Sequence, residues 1–338
     1  MSKWLVLPLI VVAYIATSVT AASPRDRDHD RPPDRRERQH QLSTKFRSAG
    51  RDPDHARLNN RPELRLRTHP RRAFPSPATT GVPGGWTPAR TVSADMTINT
   101  PGAVVQDILF TSGADIVVNA PNVTIRRVKL QGGVITTNLN NPVIEDTTLE
   151  PPPGQFSVAT DYPAIGEGGY TARRVKILRY GEGFRGSNAP IRVEDSFVFI
   201  HPSTQRTGCA GDLHSDGYQS YGAKGATFIN NTMVFSTDCG SSPYYAGYGG
   251  KDPSVPTINT GRYNVDRLLV ENGGYPFRQQ TPGSVTGLRI VNKSWAFGPI
   301  DNRCSVISPW EAKIVTIDST YQVTRVVRNQ PCNTEVVE

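Results

Sequence analysis

The sequence has few of the features that mark intracellular enzymes or small metal-binding modules. It contains four cysteines in 338 residues, and their spacing fits no zinc motif. No glycine-rich loop combines the strand–helix context and the lysine that phosphate binding requires. No segment carries a sustained helical period of apolar residues. These absences argue against a zinc site, a phosphate-binding loop and a helical fold.

The body of the chain also lacks a net charge. Residues 1–80 hold 16 Lys+Arg and 8 Asp+Glu, whereas residues 81–338 hold 22 of each. The formal charge of +8 therefore belongs to the N-terminal region and not to the body. A basic pI of this origin does not indicate nucleic-acid binding, so we predict no nucleic-acid partner.

An apolar run from Trp4 to Ala16 follows Lys3 and ends in small residues. A charged start, a short apolar core and an end at Ala21 or Ala22 are typical of a secretory signal peptide, here residues 1–22. The alternative is an uncleaved membrane anchor, but the run is short and contains Pro8. We expect a secreted protein without a membrane span after cleavage.

Residues 23–80 are rich in arginine and proline and have no apolar period. Such a composition predicts a disordered linker, because little apolar surface is available to offset the entropy of ordering. The linker is either a solvated spacer or a basic segment that holds the protein at an anionic cell wall. Residues 81–338 then form a single folded domain, which we expect to be monomeric.

All four cysteines lie in that domain, and an oxidising compartment favours disulfides. Four cysteines allow three pairings, and the sequence alone does not choose among them. We expect the nearest-neighbour pairs Cys209–Cys239 and Cys304–Cys332.

From about Ala103 onward, short β-rich runs are separated by Gly, Asn, Pro and Asp. Seven of them share one pattern, an apolar residue, two polar residues and then mostly apolar residues. The apolar markers, 19 to 36 residues apart, are Ile125, Ile144, Ala172, Val193, Ile229, Val265 and Ile290. Repeats of this kind predict a solenoid, in which each coil buries the apolar face of the next. A β-sandwich, the rival fold, would favour hairpin turns and even alternation.

The segments NVTIRRVKL, IRVEDSFVF and GATFINNTM, together with LHSDGYQ, resemble the pectin-lyase-like right-handed parallel β-helix superfamily. More narrowly, they are similar to secreted bacterial β-helix proteins with an HSDG-x-Q motif. The resemblance covers about residues 100–310. It implies an all-β, single-stranded right-handed parallel β-helix, a three-sheet solenoid with carbohydrate bound along the groove of one sheet.

Side chains alternate between the faces of a strand, which allows outward positions to be assigned. Inward positions before the repeat markers fall on Phe184, Tyr218, Ser220 and Phe277. The residues between or after them, Arg185, Gln219 and Arg278, are predicted to share the outer face of one sheet. We therefore expect these three side chains to bind substrate.

Reactive side chains are concentrated in Gly211–Gly225, GDLHSDGYQSYGAKG. We predict catalytic roles for Asp216, His214 and Lys224, and substrate contacts for Tyr221 and Asp212. Structural alternatives exist for four of them: Asp216 suits an Asp-Gly turn, His214 suits a hydrogen-bonded loop histidine, Asp212 suits a turn cap, and Lys224 suits a solvated loop. A Ca²⁺ site of Asp and Asn oxygens would fit such a groove, but the sequence fixes no ligands, and we predict no other cofactor.

Two reactions suit this groove. In β-elimination on a uronic-acid polymer, Arg185 and Arg278 would pair with the substrate carboxylate, while His214, Lys224 or Tyr221 act as base and acid. Glycoside hydrolysis needs two carboxyl groups, for which the candidates are Asp161, Glu167, Glu182, Asp212 and Asp216. We predict an extracellular polysaccharide as the partner and place elimination slightly ahead.

Two further observations bear on that choice. Ser215-Asp216-Gly217-Tyr218 resembles the polygalacturonase pattern Asp-Asp-Cys-Ile, but Ser215 replaces the first aspartate and the Gly-His-Gly and Arg-Ile-Lys motifs of that family are missing. A non-catalytic, wall-associated scaffold is a third hypothesis, in which Tyr244, Tyr245 and Tyr248 form an aromatic platform for sugars.

Overall fold

A computed structural model describes residues 73–138, 140–155, 162–201, 215–237, 241–247 and 259–333. All of these residues belong to one compact unit, Asp52–Glu338. The second unit, Met1–Arg51, lies outside the described residues, as does the predicted signal peptide. Within the described ranges, no helix has the length and apolar character needed to cross a membrane.

The described chain is all-β apart from a short 3-10 helix at Cys304–Val306, and its strands form two sheets and not the three predicted. Sheet A has fourteen strands: β1 (Arg90–Val92), β3 (Val104–Phe110), β5 (Thr124–Leu130), β7 (Val143–Glu145), β8 (Thr148–Leu149), β10 (Tyr170–Arg173), β11 (Lys176–Tyr180), β13 (Ile191–Glu194), β14 (Phe197–Ile200), β16 (Ala226–Phe235), β18 (Tyr263–Glu271), β20 (Gly283–Val291), β22 (Ile307–Ile317) and β23 (Val323–Asn329). Sheet B has nine: β2 (Met96–Ile98), β4 (Ile116–Val118), β6 (Ile135–Thr136), β9 (Pro163–Gly166), β12 (Glu182–Gly186), β15 (Asp216–Ser220), β17 (Ser242–Ala246), β19 (Phe277–Gln279) and β21 (Ile300–Asn302).

The chain alternates between the two sheets, so that each strand pairs with the equivalent strand of the following coil. In sheet B, for example, β12 pairs with β15, β15 with β17 and β17 with β19, all in parallel. Every described pairing is parallel except β22 with β23. This arrangement of parallel sheets is the one the repeat pattern predicts for a solenoid, and it excludes the hairpin-connected β-sandwich.

Sheet A bends at one position in every coil. In β5 the strand is continuous through the bend, whereas in the next coil it is divided into β7 and β8. The residue at the bend has a positive φ, between 47° and 61°, in seven successive coils. These residues, here called the corner ladder, are Asp107, Arg127, Asp146, Arg174, Asp195, Asn230 and Arg267.

Hydrogen bonds between coils offset the backbone strain at these left-handed positions. Arg127 Nε lies 2.7 Å from Asp107 Oδ1, and Arg174 Nε lies 2.6 Å from Asp146 Oδ1. Further along, Asn230 donates to Asp195, and Arg267 Nη1 donates to Asn230 Oδ1 at 3.2 Å. The predicted polar corner of the repeat is therefore a stack of partners that alternate in charge over its first five coils.

The register confirms five of the seven predicted repeat markers and corrects two. Ile125, Ile144, Ala172 and Val193 are aligned in successive coils, but Val193 pairs with Phe228 and not with Ile229. Phe228 is fully buried, whereas Ile229 is partly exposed. In the last coils, Val265 pairs with Val285 and not with Ile290.

The misalignment at Ile229 has a specific cause. The sequence pattern matches Asn230-Asn231 to the polar pair Glu194-Asp195, but only Asn230 occupies the corner. Asn231 is buried, where its side chain accepts a hydrogen bond from Ser196 N at 2.9 Å. Asn230 and Asn231 are both buried and look alike in a polar pattern, so the alignment is displaced by one residue.

Residues 73–86, here called the strap, run along the corner ladder from the last coils to the first. Phe74 is 5% exposed, its N–H donates to Tyr321 O at 3.1 Å, and Arg267 lies 4.1 Å from its ring centroid. Further on, Gly81 N donates to Arg174 O at 2.7 Å and Trp86 Nε1 donates to Asp107 Oδ1 at 3.3 Å. The folded body therefore begins before residue 81, and the predicted linker boundary is corrected: residues 73–80 belong to the folded body.

The disulfide Cys304–Cys332 is present, with Cα atoms 5.6 Å apart, which confirms that predicted pair. It ties the short helix before β22 to the segment after β23. Cys209 and Cys239 lie outside the described residues.

Candidate functional site

Five sheet B strands are built from one four-residue pattern. Its first position varies, the second is Gly or Pro, the third is large and apolar, and the fourth points away from the core. The copies are Glu182–Arg185, Asp216–Gln219, Ser242–Tyr245, Tyr275–Arg278 and Gly298–Asp301. The third positions, Phe184, Tyr218, Tyr244, Phe277 and Ile300, are aligned by the strand register and are all buried.

Close backbone stacking explains the small residue at the second position. A Cβ on Gly183 would lie 2.3 Å from the carbonyl oxygen of Gly217, and one on Gly217 would lie 2.3 Å from that of Pro243. The third positions then stack inside the coil, as with Tyr244 and Phe277, whose ring centroids are 4.7 Å apart. The stack of third-position side chains, here called the aromatic column, fixes which face of each strand points inward. The fourth residue therefore points outward.

The fourth positions form a row on the outer face of sheet B, here called the outer row: Arg185, Gln219, Tyr245, Arg278 and Asp301. The predicted alignment of Arg185, Gln219 and Arg278 is confirmed, but Tyr245 lies between the last two. With parallel strands about 4.8 Å apart, the row is about 19 Å long.

Charges in the outer row are paired. Arg278 Nη2 lies 2.8 Å from Asp301 Oδ2, and its guanidinium lies 4.7 Å from the Tyr245 ring centroid and 5.7 Å from that of Tyr275. At the other end, Arg185 forms an ion pair with Glu182, and its guanidinium lies 5.7 Å from the exposed ring of Tyr221. Each end of the row thus combines a guanidinium, a carboxylate and an aromatic ring.

Beneath the row, the first positions bring two carboxyl groups onto neighbouring strands. Asp216 and Glu182 are 0% and 2% exposed. Asp216 Oδ1 accepts the Ser242 N–H at 3.1 Å, whereas Asp216 Oδ2 and Ser242 Oγ have no hydrogen-bond partner among the described residues. Burial raises the pKa of Asp216 to about 8, and the charge of Glu182 adds to the increase, against hydrogen bonds from Ser241 and Ser242. Asp216 therefore carries a proton at neutral pH.

The structure separates the predicted site residues into three groups. Tyr221 lies beside the outer row, near Arg185. Asp216, predicted to be catalytic, is the first residue of β15 and is buried beneath the row. Lys224 is exposed in the turn between β15 and β16, beyond the aligned part of sheet B. His214 and Asp212 lie outside the described residues.

The predicted aromatic platform divides in the same way. Tyr244 is fully buried in the aromatic column, while Tyr245 belongs to the outer row, and Tyr248 lies outside the described residues. The structure adds Tyr245 and Asp301 to the row. The shared pattern of SPYY, YPFR and GPID would have identified both, because Pro or Gly precedes a large apolar residue in each copy.

In the described ranges, no group of three or more His, Cys, Asp or Glu side chains is arranged to hold a metal ion. Asp216 and Glu182 are two carboxyls, fewer than the six to eight oxygens that Ca²⁺ prefers. The arrangement is suited to holding an extended polar ligand on the outer row, with one neutral and one ion-paired carboxyl beneath it.

Comparison of the chain with protein-family models, curated proteins and solved structures finds no match.

Proposed function

We propose that this chain is a secreted, right-handed parallel β-helix of the pectin-lyase-like type and that it acts on an extracellular polysaccharide lying along the outer row. The observation that carries this proposal is the register of Arg185, Gln219, Tyr245 and Arg278, one residue per coil on one sheet face. A repeating polymer suits a site whose side chains recur at one strand spacing.

The chemistry of the row also favours a sugar polymer. Tyrosine rings offer a flat apolar face with a polar edge, which suits the mixed surface of a pyranose. Guanidinium groups offer several hydrogen-bond donors for hydroxyls and carboxylates, whereas Gln219 is only 5% exposed. Tyr245, with Arg278 stacked 4.7 Å above its ring, provides both kinds of contact at one position.

The reaction we propose first is β-elimination on a glycan that contains uronic acids. Arg278 contacts Asp301 through Nε and Nη2, and a planar guanidinium carries five N–H donors, so it can bind a second carboxylate. Arg185 would bring a second guanidinium to the other end of the row. His214, two residues before β15 in the sequence, is the proposed base for the C5 proton, and the exposed Tyr221 hydroxyl would protonate the leaving oxygen.

Glycoside hydrolysis is the second candidate, favoured by one observation. Asp216 is neutral at neutral pH, whereas Glu182 is ion-paired with Arg185. A neutral acid beside an ionised carboxylate is the division of roles that hydrolysis requires. Both groups are buried, so this reaction requires the sheet B strands to expose them to the glycosidic oxygen.

A panel of acidic and neutral polysaccharides tests these proposals on the purified full-length protein. New ultraviolet absorbance from an unsaturated uronic acid supports elimination, and new reducing ends without that absorbance support hydrolysis. Binding without either product supports a scaffold. If no polysaccharide binds, the proposal fails.

Two matched variants connect that outcome to the row. Arg278→Gln should weaken polysaccharide binding about tenfold, since one charge-assisted contact contributes about 1.4 kcal/mol or more. Arg192→Gln, on the sheet A face, is the control and should leave binding unchanged. His214→Ala should abolish elimination without altering binding. Equal losses in both arginine variants would contradict the assignment of the outer row.

A further inference from the structure

A serine and a histidine meet on the surface where sheet A leads into sheet B. Ser236 follows β16 and His201 follows β14, one coil apart. His201 Nδ1 lies 2.7 Å from Ser236 Oγ. This distance is that of a short hydrogen bond, and the hydroxyl is within reach of the ring nitrogen that would accept its proton.

The backbone holds both residues firmly. His201 N donates to Tyr180 O at 3.0 Å, and Ser236 N donates to Ile200 O at 3.0 Å, so both continue the parallel ladder of sheet A past the ends of their strands. The side chains are nonetheless accessible, because Ser236 is exposed and His201 is partly exposed. A nucleophile fixed by the ladder and open to solvent is an arrangement suited to attack on a bound group.

A donor group lies on the next coil. Gly273, beside Ser236, donates its N–H to Thr237 O at 3.1 Å and is closely packed, because a Cβ there would lie 2.9 Å from Pro243 Cδ. Asn272 Nδ2 lies 2.7 Å from Phe235 O, the carbonyl directly before Ser236. A side-chain amide has two N–H groups, and this bond uses one of them. The second N–H is available to stabilise an oxyanion that forms beside Ser236.

We propose that Ser236, His201 and Asn272 form a site that hydrolyses carboxylic esters, and that its substrate is an O-acylated sugar. This proposal rests on the proposed function for the identity of the acyl carrier alone. The nucleophile is Ser236, the general base is His201 and the oxyanion donor is Asn272. Both the site and its reaction are distinct from cleavage of the glycan on the outer row.

The reaction balances within the site and water. Ser236 Oγ bonds to the acyl carbon while its proton moves to His201 Nδ1, and the carbonyl oxygen becomes an oxyanion at Asn272 Nδ2. The C–O bond to the sugar then breaks, and the sugar oxygen takes the proton from His201. Water repeats the sequence on the acyl-serine, which releases the carboxylic acid and restores the serine.

The state of His201 agrees with this role. Burial lowers its pKa below the ordinary value, so the imidazole is neutral at neutral pH and can accept the serine proton. The labelling rate of Ser236 should therefore be level near neutral pH and fall only as the solution becomes acidic enough to protonate His201.

A fluorophosphonate probe, with p-nitrophenyl acetate as the ester, tests the site on the full-length protein. The probe should label Ser236, as located by mass spectrometry, and Ser236→Ala should lose both labelling and ester hydrolysis. Ser93→Ala changes another exposed serine and should lose neither. His201→Gln and Asn272→Ala should each reduce the rate on the order of 100-fold.

Failure to label Ser236, or full ester hydrolysis by Ser236→Ala, would overturn the proposal. Melting temperatures of the variants show whether a loss comes from unfolding, and Ser236→Thr, which keeps a hydroxyl, should retain part of the labelling. Release of acetate from an acetylated polysaccharide then tests the carrier. Ester hydrolysis without acetate release would overturn the sugar assignment, and glycan cleavage by the outer row is measured separately.

Discussion

The corner ladder and the first positions of the four-residue pattern in sheet B are both stacks of side chains from successive coils. The corner ladder brings opposite charges together, whereas the first positions bring two carboxyl groups together. Both stack one side chain per coil at one strand spacing. At the corner, the charge alternates along the series Asp107, Arg127, Asp146 and Arg174. Each side chain forms an ion pair with a residue on an adjacent coil, near solvent. In sheet B, Glu182 and Asp216 place like groups on neighbouring strands and out of contact with water.

The difference shows what stacking does to a side chain. A repeated position enforces proximity whatever the charges are, so the sequence must either alternate them or neutralise them. At the corner alternation suffices, and the pairs also fix residues in a left-handed backbone conformation. Beneath the outer row the conflict is resolved by a proton on Asp216 and by the ion pair of Glu182 with Arg185. A buried pair of carboxyl groups is a costly arrangement, and that makes this region the stronger candidate for function.

The largest expected effect separates the two faces of sheet B. Tyr244→Ala should lower the free energy of unfolding by about 3–5 kcal/mol, because it leaves a large cavity in the aromatic column. Tyr245→Ala, one residue away on the outer row, should change stability far less and instead weaken polysaccharide binding. Urea denaturation and binding isotherms on both variants measure this contrast. Similar stability losses would show that the outer row is part of the core.

The next largest effect concerns the buried carboxyl pair. The folded-state pKa of Asp216 is raised to about 8, so the folded protein keeps a proton that the unfolded chain loses near the ordinary value for aspartate. The stability that this proton contributes is complete below the ordinary pKa and is lost as the pH rises towards 8, at up to about 1.4 kcal/mol per pH unit. Asp216→Asn imitates the neutral carboxyl and should remove this dependence.

Melting temperatures between pH 4 and pH 9 check this prediction. The variant should be more stable than the parent protein at the alkaline end and similar to it at the acidic end. A variant with the same pH dependence as the parent would mean that Asp216 is ionised in the fold and that the two carboxylates are both charged.

The smallest expected effect is at the corner. Arg174→Met should lower the free energy of unfolding by about 1 kcal/mol, since its pairs with Asp146 and Glu145 are partly exposed and screened by solvent. Added salt should reduce the difference. Arg192→Met, whose ion pair is more exposed, is the control and should have a smaller effect. A double-mutant cycle with Asp146→Asn isolates the pair, and a coupling near zero would show that the ladder is held by its backbone alone.

Much of this architecture could be predicted from the sequence, because a solenoid repeats its constraints. Alternation along a strand was enough to align Arg185, Gln219 and Arg278. It failed at Ile229, because the polar pattern placed Asn231 at the corner, although Asn230 occupies the corner and the Asn231 side chain bonds to Ser196 N. Alternation also gives the face of a side chain but not its depth, so it did not predict that Asp216 is buried.

Tyr245 was predicted as part of an aromatic platform for sugars, but its place in the outer row was not predicted, for a different reason. Its strand lies in a tyrosine-rich stretch that suggests a loop, and the spacing between coils varies. The small residue before the aromatic position, imposed by the close approach of Gly183 to Gly217, is a stronger signal than the spacing. Aligning the coils on that residue would have brought Ser242–Tyr245 into the row.

The strap restricts the order in which parts of the domain can fold during synthesis. Coils can form one after another as the chain is synthesised, since each needs only its neighbour. Phe74, however, packs against Leu269 and Val315 and bonds to Tyr321, residues made near the end of synthesis. The N-terminal segment must therefore stay undocked until the last coils exist. Phe74 can therefore dock only after the whole domain has been synthesised. A prematurely terminated chain would leave the segment accessible to proteases.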